Sequence, residues 1–350
     1  MPASATGVHH RSYASELTLR HTRAERFRLL LILAAVVMVP FIVTPYWLTI
    51  ANQIGIAVIG AVGLNILVGY TGQISLGQGG FLAVGAYTSA LLHIRADLPV
   101  PVCIALAVIT TAAIGALFGV PALRLKGLYL AIATLASQEI ILFAVRTWDW
   151  LTGGVDAISL PRLEVGGFIF RQDFDWYWVI MAFAVLAVIT GRNLFRTGLG
   201  RSFMAVRDQD IAASAMGVDV TRTKVLAFAI SSAYAGLAGA LMAHYTGIVT
   251  WERFTLDVSV LYLAIIIVGG LGSIAGSVYG AIFMITLPAL ITRFGQDFQS
   301  IWPQAAEKVP AVQVIVFGLV IVLFLIFEPR GLNRIWQRMK DYIRFWPYRY

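Results

Sequence analysis

The sequence predicts an all-α polytopic membrane protein with about ten transmembrane or partly re-entrant helices. Of 350 residues, 59% are apolar and only 13% charged, whereas a soluble domain carries roughly 25% charged residues to face water. Several apolar runs reach the roughly 20 residues that a helix needs to cross the hydrocarbon core. The alternating strands of about ten residues that mark a membrane β-barrel are absent from the pattern.

Taken in order, residues 1–28 are polar and basic, and Thr18–Arg28 is expected to form a short basic helix at the membrane surface. No cleaved signal peptide is expected, because the next apolar run is longer than a signal h-region. That run, residues 29–49, is the first expected span, and Pro45, Tyr46 and Trp47 suit an interfacial turn before a second at 52–70. A glycine-rich third segment follows at 75–93, either a full crossing or re-entrant, then spans at 100–120, after Pro99 and Pro101, and at 127–146. Residues 147–174 are less apolar and read as an external loop. A sixth span at 175–190 leads into a basic segment, 191–222, and the remaining spans are expected at 224–246, 258–275, 277–293 and 309–327. The membrane domain is thus 29–327, and 328–350 form a basic tail.

Charge placement orients this map. With the N-terminus cytoplasmic, 19 of the 26 Lys and Arg residues fall on the cytoplasmic side, including Arg124, Lys126 and the whole 191–222 cluster. That excess is the asymmetry expected beside spans, and it puts both termini in the cytoplasm. It also explains the net charge of +8 better than nucleic-acid binding does. Cys103 has no intrachain partner and reads as a small packing residue.

Two glycine-rich stretches carry the strongest local signal: Gly69 to Gly80 and Gly269 to Gly280, in which Gly69 and Gly72 match Gly269 and Gly272 at an offset of 200. Gly269, Gly270, Gly272, Gly276 and, in the first stretch, Gly72 and Gly77 fit either tight packing with an interfacial turn or a discontinuous helix whose freed backbone lines a polar path. A turn near Gly276 conflicts with a continuous strip of Gly272, Gly276 and Gly280. Gly115 and Gly119 form a simple packing face. Asn65, Gln73 and Gln78 flank or lie in the first stretch, as interhelical hydrogen bonders or solute contacts. Glu139 stands in the fifth span, where an ionised carboxylate costs on the order of 2.5–3.5 kcal/mol at helix centre. It is therefore expected to face protein or water, sharing a face with Thr134, Ser137 and Gln138, as a paired group, a pathway-lining group or a proton-coupling group. His244 reads as a packing histidine.

Within 191–222, Ser202 to Met216 contains no Gly or Pro and can form a helix that Gly217 stops. Arg201, Phe203, Val206, Arg207, Asp210, Ala212 and Ala213 make a charged, small-residue surface suited to a docking partner. The chain contains no GxxxxGK[ST] phosphate loop, so any ATP that drives transport is hydrolysed on another polypeptide.

Three stretches, GLNILVGYTGQISLGQGGFLAVGAYTSALL at 63–92, RSFMAVRDQDIAASAMGVDVTRTKVLAFAISSAYAGLAGAL at 201–241 and VGGLGSIAGSVYGA at 268–281, resemble the permease subunits of branched-chain amino-acid ABC importers, specifically the LivM-like subunit. The resemblance implies an ABC importer permease-like fold and makes 201–217 the coupling element that docks on an ATPase. The family's Glu-Ala-Ala before glycine is altered: Ala212, Ala213 and Gly217 are kept, Ile211 takes the glutamate place with Asp210 beside it, and the later hydrophobic–proline part is absent. The implied partners are a second related permease, two ABC ATPase subunits and an external or periplasmic solute-binding protein, in a bacterial or archaeal plasma membrane. No cofactor is expected on this chain; ATP and Mg2+ belong to the ATPases, and the chain itself is not an enzyme. Leucine, isoleucine and valine are the substrates the resemblance implies, with urea, short amides, other amino acids or carboxylates as alternatives. An ion-coupled secondary transporter is the different-class alternative.

Overall fold

The computed structural model describes residues 23–161, 164–165, 168–169, 173–299, 305–328 and 331–345. The predicted N-terminal surface helix lies partly outside them, as do the ends of both tails. The chain divides into residues up to Thr49 and a second unit from Ile50 onward. The first unit holds α1 (Arg23–Ile42) and the first turn of α2 (Pro45–Asn65). Pro45, Tyr46 and Trp47 therefore open a helix rather than forming the expected turn, and the break falls at Val43 and Thr44. Proline lacks the N–H that a first helical turn leaves unused, so a helix start suits it better than a turn between spans.

In the second unit α2 continues as a π turn, Ile66–Tyr70, and the backbone then runs without regular secondary structure through 72–77. α3 (Gln78–Ala96), α4 (Val100–Ala122) and α5 (Leu128–Thr147) follow. The region 147–174 contains a short α6 (Asp149–Thr152) and three two-residue strands, β1 (Ile158–Ser159), β2 (Glu164–Val165) and β3 (Phe168–Ile169). α7 (Asp173–Leu194) leads to α8 (Gly198–Asp208) and α9 (Asp210–Ala215), then to α10 (Val220–Thr246). β4 (Ile248–Val249) pairs antiparallel with β1, Ile158 opposite Val249, and a 3-10 turn at Trp251–Phe254 precedes α11 (Leu256–Gly269). α12 (Ile274–Gln299), α13 (Ala305–Phe327) and α14 (Gly331–Phe345) complete the fold.

Among the described residues seven helices are long and apolar enough to cross a membrane: Pro45–Tyr70, Val100–Pro121, Leu128–Thr147, Asp173–Leu194, Val220–Thr246, Ile274–Arg293 and Val309–Phe327. The other three expected spans correspond to α1, α3 and α11. α11 has 14 residues, about 21 Å at 1.5 Å per residue, short of the roughly 30 Å hydrocarbon core.

α10 is the hub. Gly236 faces Gly85 of α3 and Thr111 of α4, Gly239 faces the Leu82 carbonyl, and Gly115 and Gly119 lie against Ser232 and Phe228. Lipid tails give apolar side chains no reason to hide, so helices associate by close packing, and small residues let their backbones approach. The Gly115/Gly119 packing face is thus realised. In α12, Gly276 and Gly280 lie against Gly269 at the end of α11. The chain breaks at 270–273, not near Gly276, which resolves the conflict: Gly272 belongs to the break and Gly276 and Gly280 to the packed strip.

Candidate functional site

Both glycine-rich stretches are interruptions in helices, and the two meet. Gly72 and Gly272 each have φ +72°, the left-handed region that a side chain disfavours. A side chain at Gly69 would strike the Gly272 amide. Asn65, fully buried one residue before the π turn, holds the second break closed. Its Nδ2 donates to the Ser273 carbonyl at 2.9 Å and to Ser277 Oγ at 2.8 Å. Its Oδ1 accepts from the Gly272 amide at 2.9 Å. One amide therefore satisfies backbone groups that the break frees, which an apolar surrounding demands.

The first break is held by different residues. Thr71 Oγ1 donates to the Ile66 carbonyl at 2.9 Å, and the Gln73 amide to Leu67 at 3.1 Å. Through 72–77 the burial alternates as in a strand: Gln73, Ser75 and Gly77 point inward and Ile74 outward. The Leu76 amide donates to Thr134 Oγ1 at 2.9 Å, and Gln78 Nε2 to the Gly60 carbonyl at 3.1 Å. Gln138, buried midway along α5, joins this segment to the start of α11. Its amide nitrogen donates to the Leu76 carbonyl at 3.1 Å and to Ser259 Oγ, and its oxygen accepts from the Leu256 amide at 3.2 Å. Ser259 Oγ also accepts from the Gly79 amide at 2.7 Å. The side-chain amide of Gln73, unlike its backbone N–H, is buried with neither Oε1 nor Nε2 hydrogen-bonded among the described residues.

Glu139 does not share the inward face expected for it. Thr134, Ser137 and Gln138 are buried, whereas Glu139 is exposed beside Ile132, Ile140 and Phe143. One residue is a turn of about 100° on a helix, enough to carry Glu139 off the polar face. The interior polar face of α5 is Thr134, Ser137 and Gln138; the spacing of four between Thr134 and Gln138 was the available signal, and Ser259 offered none.

The 191–222 segment forms two short helices, since Gln209 is extended (φ −163°, ψ 110°) and divides α8 from α9. Thr197 caps α8 by accepting from the Gly200 amide at 3.4 Å. Gly217 ends α9 with φ +85°, and the Val218 amide returns to the Ala213 carbonyl at 3.0 Å. Phe203, Val206 and Ala213 are buried against the chain itself, so these three hold the segment in place rather than present a surface. Arg201, Ala212 and Gly217 are exposed, as are Ile211 at 75% and Met216 at 85%. Asp210 accepts from Lys126 Nζ at 2.6 Å, with Lys224 Nζ at 3.5 Å. The Lys126 hydrogen bond, reinforced by the charges of both lysines, holds its carboxyl below the usual carboxylate range. Arg207 lies against both breaks: a Cβ added at Gly72 would come within 3.3 Å of its Cγ, and one at Gly272 within 2.8 Å of its Nη1. Beside it, Tyr70 stacks on Phe195 with ring centroids 3.5 Å apart.

On His244 the structure agrees with a packing role: Nε2 and Ser89 Oγ are 2.8 Å apart, and the ring lies edge-on to His93.

The family model described as branched-chain amino acid transport system / permease component matches residues 46–325. The high-affinity branched-chain amino acid transport system permease protein LivM of Salmonella typhimurium is 33% identical over 89% of this chain and 75% of its own length. The probable branched-chain amino acid transport permease protein LivM of Methanocaldococcus jannaschii is 26% identical over 78% of this chain and 82% of its own. The autoinducer 2 import system permease protein LsrC of Klebsiella pneumoniae is 28% identical over 67% of each chain. No solved structure matches. On a match spanning both breaks, the segment between them and most of the helices, this chain belongs to the family of branched-chain amino acid transport system permease components.

Proposed function

We propose that this chain is the membrane-spanning subunit of an ATP-driven importer that carries branched-chain amino acids into the cytoplasm. Its partners are a second related permease, two ABC ATPases and an external solute-binding protein. The observation that carries this reading is Arg207: it sits on the α8–α9 segment and touches both helix breaks. A partner that docks on exposed Ile211, Ala212 and Met216 and shifts the segment therefore moves an exposed residue that lies against both interruptions. ATP binding on that partner and solute loading outside then bias one equilibrium between inward and outward access.

In this reading all ten expected helical passages belong to the membrane domain, with α3 and α11 meeting part-way across and both termini cytoplasmic. Two contacts support that grouping of loops by side: Lys126 reaches Asp210, joining two loops assigned to the cytoplasm, and β1 pairs with β4, joining two assigned outside. Which side is cytoplasmic rests on the placement of Lys and Arg. The outward face of α5, with Glu139 among exposed apolar residues, faces the second permease or the water-filled route between the two subunits. An ionised carboxylate there needs water or a protein partner. Inside the chain, the Gln73 amide is the first candidate to meet solute or water.

Uptake into vesicles by the complete complex, across leucine, isoleucine, valine, other amino acids, urea, short amides, carboxylates and autoinducer 2, tests the substrate. ATP-dependent uptake of the three aliphatic amino acids supports the reading. Uptake driven by an ion gradient without ATPases would replace it with a secondary transporter.

A further inference from the structure

The C-terminal helix α14 forms a groove that the transport reading does not use. Apolar residues of α14 recur at Leu332, Ile335, Trp336 and Met339, one stripe along the helix. Against them stand Tyr279, Ile282 and Phe283 of α12, and together they line a groove of about 380 Å³. That is within the roughly 300–1,000 Å³ of small-ligand sites. Trp336 borders Tyr279 at 6.3 Å between ring centroids yet remains 53% exposed, and Ile282 and Met339 are exposed too.

Three features say what covers it. First, its α12 wall belongs to a membrane-length helix, and the neighbouring α13 ends beside it, Phe324 lying 5.8 Å from Phe283 between ring centroids. α14 begins at Gly331, packed on Gly269 and Gly270, so it leaves the foot of the bundle. Second, Arg338 flanks the apolar stripe on one side and Lys340 on the other, while the acidic Asp341 and, one heptad before it, Arg334 project from the far side of the helix. An apolar stripe edged by cations is the pattern of a helix lying in the lipid interface. Third, Arg338 reaches Glu328 at 2.9 Å, which leaves Lys340 as the cation at the edge of the groove that has no ion pair among the described residues.

We propose that the groove between α12 and α14 is a binding site for an anionic phospholipid of the adjacent leaflet, with an acyl chain against Trp336 and Ile282 and the headgroup held by Lys340. The site rests on the membrane-spanning fold and not on which solute is carried. Its position against Gly269–Gly270 places the bound lipid next to the second helix break.

The test is tryptophan quenching by lipids brominated on the acyl chain. Full-length chain is reconstituted into phosphatidylcholine vesicles containing brominated phosphatidylglycerol or, at equal mole fraction, brominated phosphatidylcholine. Carbonate-resistant insertion checks the membrane reading separately. Subtracting Trp336→Phe from the parent isolates the Trp336 signal. The expected result is stronger quenching of that component by the anionic lipid, with apparent affinity falling about fivefold for Lys340→Gln and unchanged for Arg334→Gln, which lies on the far side of the helix. Both substitutions lie on a surface helix, and a native circular-dichroism spectrum confirms that each variant is folded. Equal quenching by the two lipids, or an anionic preference that survives Lys340→Gln, overturns the headgroup assignment. A Trp336 that neither lipid quenches in the inserted protein means that protein covers the groove, and overturns the site.

Discussion

Asn65 and Gln138 perform the same task in different places, each spreading one amide over backbone groups that a helix break leaves open. Replacing either by leucine preserves bulk and strands those groups, at roughly 1–3 kcal/mol for each group left unpaired. We predict that Asn65→Leu and Gln138→Leu each lower the midpoint of thermal unfolding in detergent by several degrees. Glu139→Gln should leave it unchanged, because that side chain is exposed and makes no hydrogen bond or ion pair among the described residues. A Gln138→Leu protein as stable as the parent would count against the bridge between 72–77 and α11. The sequence did not distinguish these two neighbours. It marks Glu139 by its charge, whereas its neighbour is decided by one step of helix phase. Asn65 was legible as a polar residue at the edge of a glycine run, but its partners lie more than 200 residues away, beyond what local pattern can reach.

The α8–α9 segment combines a buried anchor, an ionic tether and an exposed surface, and these separate experimentally. Ile211→Arg and Met216→Arg put charge on the exposed surface without touching Phe203, Val206 or Ala213. The expected outcome is normal membrane insertion with loss of copurifying ATPase, or with lower uptake per ATP hydrolysed. Unchanged assembly and coupling would remove these residues from the interface. Ala213→Trp is a poorer probe, since Ala213 is buried and a large ring there disrupts the fold itself. The Asp210 tether has a defined pH sign. A carboxyl whose folded pKa is depressed stabilises above its unfolded value, near 3.9, and loses that contribution as pH falls through the folded value. Tryptic cleavage after Arg207 should therefore stay slow and flat from neutral pH to about 5. Asp210→Asn should speed it by no more than about fivefold at pH 7, since Lys126 is 69% exposed and such pairs contribute up to ~1 kcal/mol. The existence of this segment and its glycine stop were legible from composition. The extended Gln209 that divides it was not, because no glycine or proline marks the place.

For the whole molecule, apolar run length and charge placement located the long helices. The starts and stops moved where proline, glycine or distant packing intervened, as at Pro45 and at 270–273. The orientation is testable by labelling single cysteines introduced at Ser202 and Ser159 in a Cys103→Ser background. We expect reagent confined to the cytoplasmic side to reach the first and external reagent the second; labelling of both from one side would refute the map. The reach of Asn65 also has a consequence in time. Gly272 lies 207 residues further along the chain, so at roughly 5–20 residues per second of synthesis the asparagine waits about 10–40 s for its partner. Through that interval α2 carries an unmatched amide that must be kept wet or chaperoned at the site of insertion. A ribosome that stalls before residue 270 leaves a helix with an unpaired polar group, and quality-control proteases at the membrane gain that long to recognise it.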